Sequence, residues 1–543
     1  MKGSELIRLS AIYSLLLVLV VVGGFILVRW IRNPGNLRRF ILAMGCVITL
    51  IALAYAEENW RGWHAWEGYR RQLAAKGENL DFSAVVPPSV PDARNLACTP
   101  LFQRIFDFTQ GQEGTIWHDT NAQARAAAIS ATLRSPSSTN IWDSAGDLME
   151  AGELGNLPAW AAFYQGNTNY PQAPPGAPPA QVIITALAKF APEMDELRQA
   201  AATRPETRFP IQYDYQPPWA ILLPHLSLVR SLTIILQIQA TAQLEERHAE
   251  TAFEDLKLGL RLSDGIREEP FLIDHLVRLA TLRTDLQIVR EALARHAWTD
   301  EQLAMIETRL GPMNLLAEYE HAMRGERDFH LSGVNFFRRQ GFHARPSEVF
   351  DMSSGGSAPD FLWDLMPGGW YYQNMVSIAR LHEEFTLPAA DPAQHRVFPD
   401  IIRKGEHVFE MLPVAPYTAL ARRLMPAFDK AIAKSARMQT YVDAARLACA
   451  LERYRLTTGA LPQNLDALVP RFILSVPNDV IDGKPLRYRL NPDGSYVLYS
   501  IGWNQKDDGG QLAWTSERKK QVNLTGGDWV WFSGKELLSA PMR

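Results

Sequence analysis

LSAIYSLLLVLVVVGGFILV, residues 9–28, and FILAMGCVITLIALAYA, residues 40–56, decide where the rest of this chain resides. Neither run carries a charge. About 20 apolar residues at ~1.5 Å per residue cross a ~30 Å hydrocarbon core. Lipid offers no partner to backbone polar groups, so such runs must be helical there. The second run is shorter and lies near the lower limit for a span. Between the two sit Arg29, Arg32, Arg38 and Arg39, with Asn33-Pro34-Gly35-Asn36 as a turn. Only Lys2 and Arg8 precede the first run, and Glu57 and Glu58 follow the second. An excess of arginine in a short loop places that loop in the cytoplasm. The expectation is a two-pass inner-membrane protein with its large C-terminal part outside the cytoplasm and the bilayer as its first partner. Two alternatives stay open. Ala54-Tyr55-Ala56 before Glu57 has the form of a signal-cleavage site, which would still export the body. The two runs also fit a pair of buried core helices.

The chain has 543 residues, enough for several domains. Its net charge of −4 gives no basic footprint for nucleic acid. The three cysteines are Cys46, Cys98 and Cys449. Cys46 lies in the second apolar run. Cys98 and Cys449 would be exported, where a bridge between them is permitted but not required. No CxxC or Cys/His cluster supports zinc.

Trp60, Trp63 and Trp66 follow the anchor at a spacing of three, as an interfacial belt on a helix leaving the membrane. Residues 76–95, with Pro87-Pro88 and Pro91, form an extended connector that spaces the body from the membrane. Residues 98–225 read as helices with long loops. In 226–311 the pattern sharpens. Leu228, Leu232 and Ile235 mark a buried helix. Phe253, Leu256 and Leu260 mark a second, and Ile273, Leu276, Val277 and Ala280 a third. Thr299 with Gln302 caps a fourth, which Gly311-Pro312 ends.

Residues 317–330 hold Glu318, Glu320, His321, Arg324, Glu326, Arg327, Asp328 and His330. Such a group reads first as a solvated helix face with i,i+4 pairs, and second as one wall of a polar cleft with acid/base capacity. Ser353-Ser354-Gly355-Gly356-Ser357 lacks the lysine of a phosphate-binding loop. His382-Glu383-Glu384 begins like a zinc-protease helix, but position 386 is threonine, so the second histidine is missing.

At the C-terminus a helix over 434–457 precedes a short helix at 462–469. Strands follow at 486–490, 496–501 and 529–532, with Asp482-Gly483 and Pro492-Asp493-Gly494 as turns. Tyr454-Arg455, Gly459, Pro462, Leu465 and Ala467-Leu468-Val469 resemble the post-helix segment of the major pseudopilins of type II secretion. Residues 479–488 resemble their turn before the sheet. Tyr499-Ser500-Ile501-Gly502 and residues 504–510 resemble their final strand and loop. The whole chain is also similar to a group of bacterial membrane-anchored proteins of unknown function that carry this ending. The resemblance covers about the last fifth. It implies calcium at Asn504, Asp507 and Asp508, oxygen donors suited to a hard cation. The loop departs from the family in being short of carboxylates. The helix at 434–457 is internal, unlike the processed N-terminal helix of a filament subunit. Trp503, Trp514, Trp529 and Trp531 read as packing for the small sheet.

The expected fold is mainly α. It comprises a membrane anchor over 1–59, an interfacial helix and connector over 60–97, an irregular helical bundle or solenoid-like body over 98–433, and a pseudopilin-like α+β module over 434–543. No catalytic signature is present. The first functional reading is an exported, non-enzymatic scaffold that binds an envelope protein. The alternatives are an accessory component of a type II secretion or pilus-like assembly, and an exported hydrolase with its site between helices.

Overall fold

The structure is a computed structural model that describes residues 29–30, 32–111, 114–131, 149, 153–340, 366–425, 428–514 and 522–533. The first apolar run, residues 9–28, and the Ser/Gly loop 353–357 lie outside these residues.

The helices in chain order are α1 Pro34–Ala75, α2 Pro100–Arg104, α3 Thr120–Ala131, α4 Leu157–Tyr164, α5 Pro179–Leu187, α6 Ala191–Thr203, α7 Pro224–Glu245 and α8 Ala249–Asp264. They continue as α9 Leu272–Ala294, α10 Asp300–Leu310, α11 Leu315–Gln340, α12 Gly368–Leu381, α13 Pro399–Glu410, α14 Pro416–Leu424 and α15 Phe428–Thr458.

The second apolar run lies inside α1. The predicted turn at 33–36 supplies the cap, because Asn33 Oδ1 accepts from Gly35 N at 3.0 Å and Pro34 opens the helix. An 18-residue window of α1 has mean hydropathy 2.1 and no burial, so this helix is long and apolar enough to cross a membrane. Its 42 residues extend about 63 Å, roughly twice a hydrocarbon core. The helix passes unbroken through positions 56 and 60.

The distal half of α1 packs on α12. Gly62, Trp66 and Leu73 are buried there. The two helices meet backbone to backbone, since a Cβ on Gly62 would stand 2.6 Å from the Gly369 carbonyl carbon. The three tryptophans therefore divide. Trp60 and Trp63 stay 61% and 45% exposed, whereas Trp66 enters the core. Each step of three along a helix rotates a side chain by about −60°, so two steps carry Trp66 from the water side to the body.

The connector does not stand off from the body. Asp81 caps a short turn at Phe82–Ala84. The Phe82 ring packs among Tyr213, Phe271 and Phe329, with centroids 5.4–6.2 Å away. Arg208 Nε reaches Pro88 O at 3.0 Å, and Asn95 Nδ2 donates to Arg208 O at 2.8 Å.

Helix α7 is apolar on most sides and buried as expected, feeding one core with Leu228, Leu232 and Ile235 and a second with Ala240 and Leu244. On α9 the buried stripe is Leu279, Leu282, Leu286 and Leu293, while Ile273 is 50% exposed. Of the predicted face, Leu276 and Val277 pack half-buried against the two cores, and the buried side extends instead to Asp274, His275 and Arg278, which are polar yet buried. The capping box of α10 is formed, with Gln302 N donating to Thr299 Oγ1 at 3.3 Å and Thr299 N to Gln302 Oε1 at 3.1 Å.

Helix α15 begins before the predicted position and is mostly buried from Ala431 to Glu452, with Tyr441, Val442, Ala445, Ala448 and Cys449 in the same core as α9 and α11. The C-terminal module is thus packed into the body. The strands β1 (Phe108–Gly111) with β2 (Gly114–Trp117) and β3 (Ala390–Asp391) with β4 (Arg396–Val397) form small hairpins. Next, β5 (Arg487–Leu490), β6 (Tyr496–Ser500) and β9 (Trp529–Phe532) make the expected antiparallel sheet in the order β5-β6-β9. An unpredicted pair joins β7 (Leu512–Trp514) to β8 (Val522–Gly527). Trp503, Trp529 and Trp531 are buried, but Trp514 is 44% exposed. Cys449 is buried and both it and Cys98 are free, so the permitted bridge is not formed.

Candidate functional site

Beside the distal half of α1 lies a cleft of about 640 Å³. One wall is a stripe of α1 at helical spacing: Trp63, Trp66, Glu67, Arg70, Arg71 and Ala74. The facing wall is α11, through Asp328, Leu331, Ser332, Asn335 and Arg338. Tyr372 and Met375 of α12 form the back, and the connector from Glu78 to Phe82 closes the end away from the apolar span. At ~1.5 Å per residue the α1 wall runs about 17 Å.

The distal end holds a charge network centred on Arg327, whose side chain is fully buried. Its Nε donates to Asp328 Oδ1 at 2.8 Å, its Nη1 to Glu78 Oε2 at 2.8 Å and to Glu383, and its Nη2 to Asn79 O at 2.9 Å. Arg324 adds a second cation, with Nη2 at 3.2 Å from Glu78 and 2.9 Å from Glu320. Glu78 is partly buried, yet hydrogen bonds from Arg324 and Arg327 hold its carboxyl below the ordinary range. Asp328 goes the other way. Burial pushes it up to about 6, against the pull of Arg327 and with the help of Glu78 and Glu383.

Behind this network lie His330 and His382, with ring centroids 6.0 Å apart. His330 Nε2 is 3.2 Å from Glu326 Oε1, and His382 Nδ1 is 3.1 Å from Thr386 Oγ1. His382 opens a π-helical turn, His382–Thr386, which continues α12. Burial keeps His382 neutral, and His330 and Arg327 act in the same direction.

The membrane-proximal end is different. Arg338 Nε and Nη2 donate to Asn335 Oδ1 at 3.1 and 2.9 Å, and its guanidinium lies 4.9 Å from the Tyr372 ring centre. Farther up the α1 wall, past its midpoint, Arg70 and Arg71 share one carboxylate, Glu67, at 2.9 and 3.1 Å.

The charged group at 317–330 therefore does not form a solvated face. Arg327 and Asp328 are buried because α1, the connector and the π turn cover them. Nor does the group converge as one set. Glu318 turns to Arg278 at 3.4 Å, and His321 Nε2 meets Glu268 O at 3.2 Å. Of its eight charged or histidine side chains, Asp328 lines the cleft. Glu384 pairs with Arg380 at the surface. The sequence reading missed Glu78 and Arg338 as members of the site. Glu78 lies 249 positions from Arg327, and no local pattern connects them.

A second buried cluster joins α7 to the turn before α9. His225 Nε2 is 2.9 Å from Glu269 Oε2, and both side chains are buried. Burial drives His225 down to about 4 and raises both Glu269 and Asp274.

The three calcium candidates share the loop after β6. Asn504 Nδ2 donates to Asp508 Oδ2 at 2.9 Å, and Asp507 Oδ1 accepts from Gly509 N at 3.0 Å. Asp507 Oδ2 lies 3.6 Å from Arg487 Nε. Asp528 sits beneath, accepting from Gly510 N at 2.6 Å, and burial plus the carboxylates of Asp508 and Asp507 raise it. Among the described residues no three His, Cys, Asp or Glu side chains are grouped to hold a metal ion. The turn at 479–488 is organised by Asp479, which accepts from Ile481 N, Ile501 N and Ser500 Oγ at 2.8–3.0 Å and from Arg487 Nη1 at 2.7 Å.

No family model matches the chain, and no match was found among curated proteins or solved structures.

Proposed function

We propose that the chain is a membrane-anchored, extracytoplasmic binding protein and that the cleft beside α1 is its binding site. One observation carries this reading: the helix that is apolar and exposed over 40–56 is the same helix that forms a wall of the cleft. A rigid helix holds the cleft at a fixed height above the bilayer. The arginines at 29, 32, 38 and 39 orient the anchor with the body outside the cytoplasm, in a two-pass topology completed by residues 9–28.

The role is binding without chemistry. Both oxygens of Asp328 are engaged by Arg327, so its proton affinity serves the network. The hydrolase reading draws less from the geometry: Glu318, His321 and Glu384 turn elsewhere, and of the residues that do gather, Arg327, Asp328, His330, His382 and Glu383, only Asp328 lines the cleft. The reading as an accessory of a secretion or pilus-like assembly rests on the pseudopilin-like ending. Calcium at Asn504, Asp507 and Asp508 belongs to that reading, and Asp528 beneath them adds negative charge to the loop.

The test is photo-crosslinking from position 71, on the cleft wall, in native membranes, with position 61 as the control outside it. Recovery of one envelope component from position 71 and not from position 61 supports the reading. Identical recoveries from both positions reject it.

A further inference from the structure

We infer that the membrane-proximal end of the cleft binds the phosphate-bearing headgroup of a lipid from the same bilayer, whose acyl chains stay alongside residues 40–56 of α1. The inference names the ligand class of the site proposed above and rests on that reading.

Height comes first. Trp63 lies seven residues beyond Ala56, about 10 Å up the helix. A bilayer is ~30 Å thick in its core and ~40–45 Å with its headgroups, so the headgroup layer reaches about 5–8 Å beyond the core. Trp63 therefore stands about 2–5 Å beyond that layer, close enough for a headgroup drawn up along α1 to reach the cleft mouth. The exposed apolar surface below it is continuous with the cleft along a single helix.

Charge comes second, and it is graded along the cleft. The acids Glu78, Asp81 and Asp328 gather at the distal end, while Arg338 stands at the membrane end with Tyr372. Arg338 meets only a neutral acceptor, Asn335, and an aromatic face. Among the described residues no carboxylate pairs with it. A guanidinium has five N–H donors, and Nε and Nη2 are the ones that reach Asn335. Stacking on Tyr372 fixes the plane of the fork before any ligand arrives, which suits bidentate capture of a phosphate. On the opposite wall, about 10 Å farther up α1 from Trp63, Arg70 and Arg71 divide the Glu67 carboxylate, leaving a surplus positive charge midway along the cleft. Ser332 and Asn335 offer a hydroxyl and an amide to the polar remainder of the headgroup.

A protein segment fits less well. Its anionic side chains would have to descend to the bilayer end of the cleft, while its backbone passed the acids at the distal end.

The test uses the full-length protein, purified in mild detergent and examined by native mass spectrometry for retained phospholipid. Wild type is expected to retain about one phospholipid per chain. Arg338→Ala should lower retention about tenfold, as loss of charge-assisted hydrogen bonds implies. Ser332→Trp, which fills the cleft without touching the cation, should do the same and covers the case in which Arg338→Ala does not fold. Arg61→Ala, outside the cleft, should retain the lipid. Millimolar inorganic phosphate should leave the melting temperature unchanged. Equal retention in wild type and both cleft variants overturns the inference. So does a melting shift with phosphate alone, which would make the ligand a free anion. If lipid retention fails while position 71 still crosslinks one envelope protein, the lipid inference falls and the binding reading stands.

Discussion

Replacing Gly62 with alanine gives opposite signs depending on whether α1 packs against α12. In an exposed helix interior the change is favourable by about 0.8–1 kcal/mol, because glycine is a poor helix former. In this structure the added Cβ would stand 2.6 Å from the Gly369 carbonyl carbon and closer still to its oxygen. A carbon and a carbonyl oxygen rest at about 3.3–3.6 Å, so the two helices must separate by about 1 Å. Overpacking of that kind costs about 1–3 kcal/mol. Separation also strains the bonds that stitch the contact: Gly369 N to Asn59 Oδ1 at 2.8 Å, Trp370 Nε1 to Glu58 Oε2 at 2.9 Å, and Gln373 Nε2 to Glu58 Oε2 at 3.2 Å. Each is worth about 1 kcal/mol. After the helix-propensity gain, Gly62→Ala should destabilise by about 2–4 kcal/mol. Chemical denaturation in detergent measures it. Gly369→Ala should behave alike, and the double variant should cost less than the sum, because the first wedge opens the space for the second. A neutral or stabilising Gly62→Ala would refute the packing of anchor on body.

Three further outcomes follow from buried charge and from the C-terminal loop. Burial raises Asp285 from its ordinary 3.8 to about 8, with Ser263 Oγ as its hydrogen-bond partner at 2.6 Å. The folded chain therefore holds a proton there that the unfolded chain releases above pH 4, so stability falls as pH rises from about 4 to 8. At pH 7 the difference is 7 − 3.8 = 3.2 pH units, or ~4 kcal/mol. Asp285→Asn should flatten that decline in urea midpoints; an unchanged slope counts against it. Arg327→Met leaves Asp328, Glu78 and Glu383 without their shared cation and should cost about 3–5 kcal/mol at neutral pH. The loss should shrink toward pH 4 as the carboxylates protonate, and a pH-independent loss would show that the network is not the cause. Calcium at 100 times its dissociation constant should stabilise by about 2.7 kcal/mol and raise the melting temperature, with Asp507→Asn and Asp508→Asn abolishing the rise. No change between calcium and chelator would remove the calcium proposal.

The elements that were legible in the sequence are those with a local signal. The apolar run at 40–56, the Thr299/Gln302 box and the strand at 529–532 each announce themselves within a few residues. Helix α9 was read only in part: Leu276 and Val277 pack against the cores but Ile273 is exposed, and the core side also includes Asp274, which caps its own helix, and His275 and Arg278, whose partners lie on other elements. The same holds for the cleft. Trp63 and Trp66 were singled out as an interfacial feature, and Asp328 as part of a charged run. Nothing local ties them to Glu78, Arg338 or Tyr372, because the topology of three helices, and not spacing, brings them together. Nor was the connector legible as part of the body, since proline marks an extended backbone but not what that backbone lies on.

The most direct test of the account is a cysteine accessibility scan along α1 in native membranes, from position 40 to position 75, with a water-soluble thiol reagent, in a background lacking the native cysteines. A single helix that is first a span and then a wall predicts three zones. Positions 40–56 should be unreactive in the bilayer. Positions 60, 61, 64 and 65 should react quickly, as exposed sites on the helix above it. Positions 66 and 73 should be protected by the body although they lie beyond the membrane. Reaction at 66 and 73 as fast as at 61 and 64 would show that the helix stands free of the body, and the cleft would not exist as described.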